Sequence, residues 1–95
     1  MYMLIMMEEN MNLLQIVGLN VKYYRYLKHW TQEQLSDNCD FKMSYISLIE
    51  RCEANMTLKN IEYIAKILDI EPYKLLIEKT ATEAKKLPNR VDLFS

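Results

Sequence analysis

Apolar residues return at every third or fourth position along most of this chain, the spacing that keeps one face of an α-helix turned to a core. Leu14, Val17, Val21 and Tyr24, continued by Leu27 or Lys28, predict a first helix over about 12–28. His29 follows as the residue beyond the helix C-terminus, where a positive φ is common and His is among the tolerant types. Thr31 then opens a second helix as its N-cap, and Gln34 completes a capping box of the S/T-x-x-E/Q kind. Leu35 and Cys39 face inward from that short helix, with Ser36 at a crossing where a small side chain fits. Asp40 is expected to make the turn, because Asp tolerates the left-handed conformation.

Ile46 and Ile49, three apart, predict the inner face of a third helix. After the polar run RCEANMT, Thr57 caps a fourth, in which Leu58, Ile61, Ile64, Ala65 and Leu68 are expected to form one inward stripe. Asp69 and Ile70 break it. Pro72 fits the first position of a fifth helix, where its missing N–H costs nothing, running to about Lys79 or as far as Leu87. Pro88 ends it.

Composition narrows the class. About half of the 95 residues are apolar, with one Gly and two Pro, so core material is plentiful and hairpin-turn residues are scarce. An all-α fold of one domain is expected, with 1–11 as an N-terminal extension, 12–79 as the domain and 80–95 as a C-terminal extension or tail. The opening MYMLIMM is too short for a membrane span and lacks the basic start of a signal peptide. It reads as a partly ordered extension or as a cap on a partner interface, and the tail KKLPNRVDLFS as a strap or a disordered end.

Charge and candidate chemistry exclude more than they select. The net charge is −1, and between residues 20 and 60 six cations meet five acids, so any basic surface must arise by spatial clustering. Cys39, Cys52 and the single His29 lack metal-ligand spacing, and no metal or other cofactor is expected. Paired carboxylates, a Gly-rich phosphate loop and a nucleophile with its base are all missing from the pattern, so an enzyme is not expected. No small-molecule ligand is evident, and reduced cysteines point to a cytoplasmic location.

Two central helices meeting steeply through a tight turn need apolar anchors, one small residue and a compact turn, which Leu35, Ser36, Asp40, Ile46 and Ile49 supply. With VKYYR, TQEQLS, YISLIER and NMTLKNIEYIAKILDI in this order, the chain from Val21 to about Leu76 resembles the Xre-like family, the helix-turn-helix of phage Cro and repressors. The resemblance implies a five-helix bundle of the lambda-repressor-like type, with its third helix in the major groove of double-stranded DNA. It implies base contacts from Met43, Ser44, Ser47 and Leu48, and phosphate contacts from Gln32, Lys42, Asn55 and Thr57. It also implies a structural ion pair between Arg25 and Glu50.

The family usually carries Gly where this chain has Asp40 and Cys52, and Ser or Thr where it has Lys42, which cannot cap a helix but can reach a phosphate. Met43 and Leu48 cannot make bidentate bonds to purines and favour thymine methyls. A homodimer is expected, since one recognition helix makes few contacts, with Tyr63, Ile67, Tyr73 and Ile77 as the self-complementary patch. The implied function is transcription regulation, as a repressor or a restriction–modification controller of bacterial or phage type. An antitoxin-like protein-interaction module is the alternative.

Overall fold

The computed structural model describes residues 11–88. Five α-helices and one 3-10 helix follow in order, with no strand among the described residues: α1 (Leu13–Leu27), α2 (Gln32–Asp37), α3 (Met43–Glu50), α4 (Leu58–Leu68), the 3-10 helix (Pro72–Leu76) and α5 (Glu78–Ala84). Asn12 begins α1 with a capping box. Its side chain accepts from the Gln15 N–H at 2.9 Å, and the Gln15 side chain accepts from its backbone at 3.0 Å. Thr31 and Gln34 form the expected box on α2, at 3.0 and 2.8 Å. Thr57 caps α4 by accepting from Asn60 N–H at 3.0 Å. Lys42 stands at the N-cap of α3 and supplies no side-chain bond there, as its chemistry dictates.

Three helices end the same way. His29, Cys52 and Asp69 have φ of 59°, 64° and 63°, the left-handed conformation. The residue after each donates back across the last turn, Trp30 to Arg25, Glu53 to Leu48 and Ile70 to Ala65, which satisfies carbonyls that a helix end otherwise leaves open. Glycine is the usual residue at such ends, yet the chain's one glycine, Gly18, lies inside α1. A Cβ there would lie 2.2 Å from the carbonyl oxygen of Ile49, so the missing side chain lets α1 and the end of α3 touch backbone to backbone.

The core is built from Val21, Leu35, Ile46, Ile64 and Leu75, all fully buried, with Val17, Ile49, Ala65 and Leu68 around them. Each fully buried aliphatic side chain contributes about 1.5–3 kcal/mol of transfer free energy, so Ile46 and Ile49 alone fix which face of α3 turns inward. α1 runs along α5, the 3-10 helix and α3. Asn20, fully buried on α1, donates to the carbonyls of Leu75 and Ile77, both at 2.9 Å, and accepts from the Thr80 hydroxyl at 2.7 Å. Three backbone and hydroxyl groups at the 3-10-to-α5 junction are thereby satisfied by one amide.

The structure corrects four expectations. Leu58 is 81% exposed, so the α4 stripe begins at Ile61; as the first residue of the helix, Leu58 projects past the neighbouring elements. Leu27 is likewise exposed, and α1 continues its stripe through the half-buried Tyr24. Asp40 does not take a positive φ. The α2–α3 turn is held instead by side chains: Asp40 N–H donates to the Tyr63 hydroxyl at 2.8 Å, and the Ser36 hydroxyl donates to the Phe41 carbonyl at 2.8 Å. The expected fifth helix is two pieces, because the backbone is extended at Ile77, where the Asn20 amide grips its carbonyl. Ala81 and Ala84 of the second piece are fully buried. The MYMLIMM run and the end of the tail lie outside the described residues.

Candidate nucleic-acid interface

A polar chain that crosses three helices ties the helix-turn-helix pair to α1. Arg25 on α1 is fully buried, and its Nε and Nη2 donate to the two carboxylate oxygens of Glu50 at 2.6 and 2.7 Å, the bidentate geometry of a strong pair. Nη1 donates to the Trp30 carbonyl at 2.8 Å, just ahead of α2. Glu50 Oε1 also accepts from Gln32 Nε2 at 3.1 Å, and Gln32 Oε1 accepts from the Ser47 hydroxyl at 2.6 Å. The expected ion pair is thus present, and it extends through Gln32 to α3.

At the start of α3, ahead of this chain, Lys42, Met43 and Ser44 are exposed, Met43 to 48%. Ser47 is half-buried against Gln32, and Leu48 is half-buried with part of its side chain on the core. Gln32 is half-buried and engaged at both ends of its amide. Asn55 and Thr57 are exposed in the loop before α4, although the Thr57 oxygen already serves as a cap. The aromatic trio Phe41, Tyr45 and Tyr63 braces the turn, with ring centres 4.9 and 5.0 Å apart, and Asn60 Nδ2 donates to the Tyr45 hydroxyl at 3.1 Å.

The four residues named for a dimer patch separate. Tyr63 is occupied with Phe41 and Asp40, and Ile67 packs on the core. Tyr73 and Ile77 are 59% and 40% exposed, joined by Leu76 at 45%, which the sequence pattern did not single out. Gly18, Asn20 and the bridging role of Gln32 were also missed. The first two leave a faint trace, since a Gly and an Asn inside a helical pattern are poor helix formers and ask for a packing reason.

Titratable groups off this face are shaped by burial. The Lys22 ammonium donates to the Leu87 carbonyl at 3.1 Å, and burial lowers its pKa while Glu50 acts the other way. Burial pushes up the thiols of Cys39 and Cys52, so both stay protonated at neutral pH. Tyr26 donates its hydroxyl to the Pro88 carbonyl. Among the described residues no helix is long and apolar enough to cross a membrane.

A helix-turn-helix family model matches residues 21–75, more than half of the chain. A hypothetical transcription factor of Neisseria meningitidis serogroup B is 33% identical over 69 residues, which is 73% of this chain and 65% of that protein. The match therefore spans less than two thirds of the length of that relative. The control protein C.BamHI of Bacillus amyloliquefaciens is 42% identical over 66 residues, 68% of this chain and 82% of that one. A solved structure, the hypothetical transcription factor NHTF from Neisseria, superposes with a TM-score of 0.67 at 35% identity, covering 70% of this chain and 76% of its own. A helix pair tied by a buried polar chain, inside an all-α bundle matched over this range, places the protein in the Xre-like helix-turn-helix family of transcription regulators, which are not enzymes.

Proposed function

We propose that the chain is a sequence-specific regulator of transcription that binds double-stranded DNA as a homodimer, with α3 in the major groove of each half-site. The observation that carries this reading is the division of α3 into an anchored later part, Ile46, Ile49 and Glu50, and an uncovered start, Lys42, Met43 and Ser44. On this reading Met43, Ser44, Ser47 and Leu48 face base edges. Met43 and the exposed part of Leu48 offer apolar contact to thymine methyls. Lys42, Asn55 and Thr57 face phosphates, and the Gln32 amide nitrogen keeps a second hydrogen for another.

The near-neutral charge makes a single bundle a weak phosphate binder, so two copies spaced about 34 Å apart on one face of the duplex supply the affinity. Tyr73, Leu76 and Ile77 form the apolar surface that a second copy would cover, while Tyr63 and Ile67 serve mainly their own subunit. Likeness to C.BamHI favours a cytoplasmic controller of the restriction–modification kind. Selection from random duplexes tests this: a retained site with two related halves centred about one DNA turn apart is expected. Failure to retain any duplex at low salt, with tight capture of a protein partner instead, would establish the antitoxin-like alternative.

A further inference from the structure

Hydrogen-bond polarity runs in one direction from the buried ion pair to the surface of α3. Arg25 is a donor only, and the ionised Glu50 an acceptor only. Glu50 Oε1 lies 3.1 Å from Gln32, so the group facing it must be the amide NH2, and that choice turns the amide oxygen toward α3. Ser47 Oγ lies 2.6 Å from this oxygen, so its one proton is committed inward. The oxygen lone pairs of Ser47 are what remain for anything outside.

We infer that Ser47 is locked as a hydrogen-bond acceptor and reads exocyclic amino groups, so that one position in each half-site prefers A or C over G or T. This rests on the DNA-binding reading above. In the major groove, adenine N6 and cytosine N4 present donors, whereas guanine O6 and thymine O4 present acceptors. A free serine hydroxyl serves either kind by rotating; the relay through Gln32 removes that freedom. Gln32 is thereby a positioning residue for specificity, in addition to any phosphate it touches.

The test compares wild type, Ser47→Ala and Gln32→Met on the selected duplex with each base of a half-site exchanged in turn, with thermal unfolding to confirm that both variants fold. Wild type should favour A or C at one position, and an analogue lacking the amino group there should weaken binding about 3- to 10-fold, one neutral hydrogen bond. Ser47→Ala should be indifferent to that analogue. Gln32→Met should bring A or C and G or T to near-equal affinity at that position while preferences elsewhere survive, a change that mere loosening of the fold would not produce. A G-or-T preference at the Ser47-dependent position, or a Ser47→Ala protein with unaltered preference at every position, overturns the inference and leaves the DNA-binding reading intact. If no duplex is retained, that reading falls and the inference with it.

Discussion

Replacing Gly18 by alanine sets two effects of opposite sign against each other in a single methyl group. Alanine is the better helix former, by about 1 kcal/mol in a helix interior. Its Cβ, however, would sit 2.2 Å from the Ile49 carbonyl oxygen, whereas ordinary contact begins at 3.4 Å, so the two helices must separate by up to 1.2 Å there. The obstacle is backbone at the last turn of α3, which has no rotamer through which to yield. Glu50 follows directly, with its oxygens 2.6 and 2.7 Å from Arg25, so the shift also stretches the bidentate pair.

Overpacking of a tight site costs about 1–3 kcal/mol, and a rigid obstacle places this one at the upper end. The net loss is then about 2 kcal/mol, or a fall in Tm of roughly 8–16 °C for a domain of this size. Denaturant titration followed by fluorescence of Trp30, the only tryptophan in the chain, measures it, with an unchanged m-value showing that the effect belongs to the folded state. A midpoint equal to or above that of wild type would refute the claimed helix contact, since propensity would then have prevailed.

The remaining predictions follow from the same geometry. Glu50→Ala or Arg25→Ala should each destabilise by about 3–5 kcal/mol in chemical denaturation, because a buried charge loses its partner, whereas Arg25→Met with Glu50→Leu should cost less than either single change. Asp69→Gly should stabilise by about 1 kcal/mol, since it relieves a left-handed non-glycine residue and removes an acid from the C-terminal end of α4. Lys42→Ala should weaken binding to all duplexes alike and reduce the slope of log affinity against log salt by about 1; a change confined to one operator base would contradict the phosphate assignment.

What could be read from the sequence was what local chemistry decides. The Thr31 and Gln34 box is complete within four residues, and the left-handed His29 follows from where the first apolar stripe stops. Of the outward row expected on α3, Lys42, Met43 and Ser44 are exposed where the helix starts, ahead of the inward Ile46 and Ile49, whereas Ser47 and Leu48 are half-buried. Features decided by distant partners stayed hidden. Gly18 has its reason in Ile49, the Asp40 turn in Tyr63 from α4, and Asn20 in carbonyls more than fifty residues away. The Arg25 and Glu50 pair came from family likeness, not from spacing, and its continuation to Ser47 requires the α2–α3 angle, which no single helix encodes.

These dependencies fall unevenly along α3. Beyond its first turn it carries the buried Ile46, Ile49 and Glu50, meets Gly18 without side chains between, and closes with Cys52 and Glu53 donating back into its last turn. Its first turn has no side-chain cap, and Met43 and Ser44 stand in solvent. The fold therefore grips the helix away from Met43 and Ser44, which contribute little to it. Met43→Ala should accordingly leave stability within about 0.5 kcal/mol of wild type, as for surface positions without buried partners. A loss of operator preference in that variant would then belong to the interface itself, whereas an equal loss after Gly18→Ala would have to be divided between the interface and the tilt of the helix that presents it.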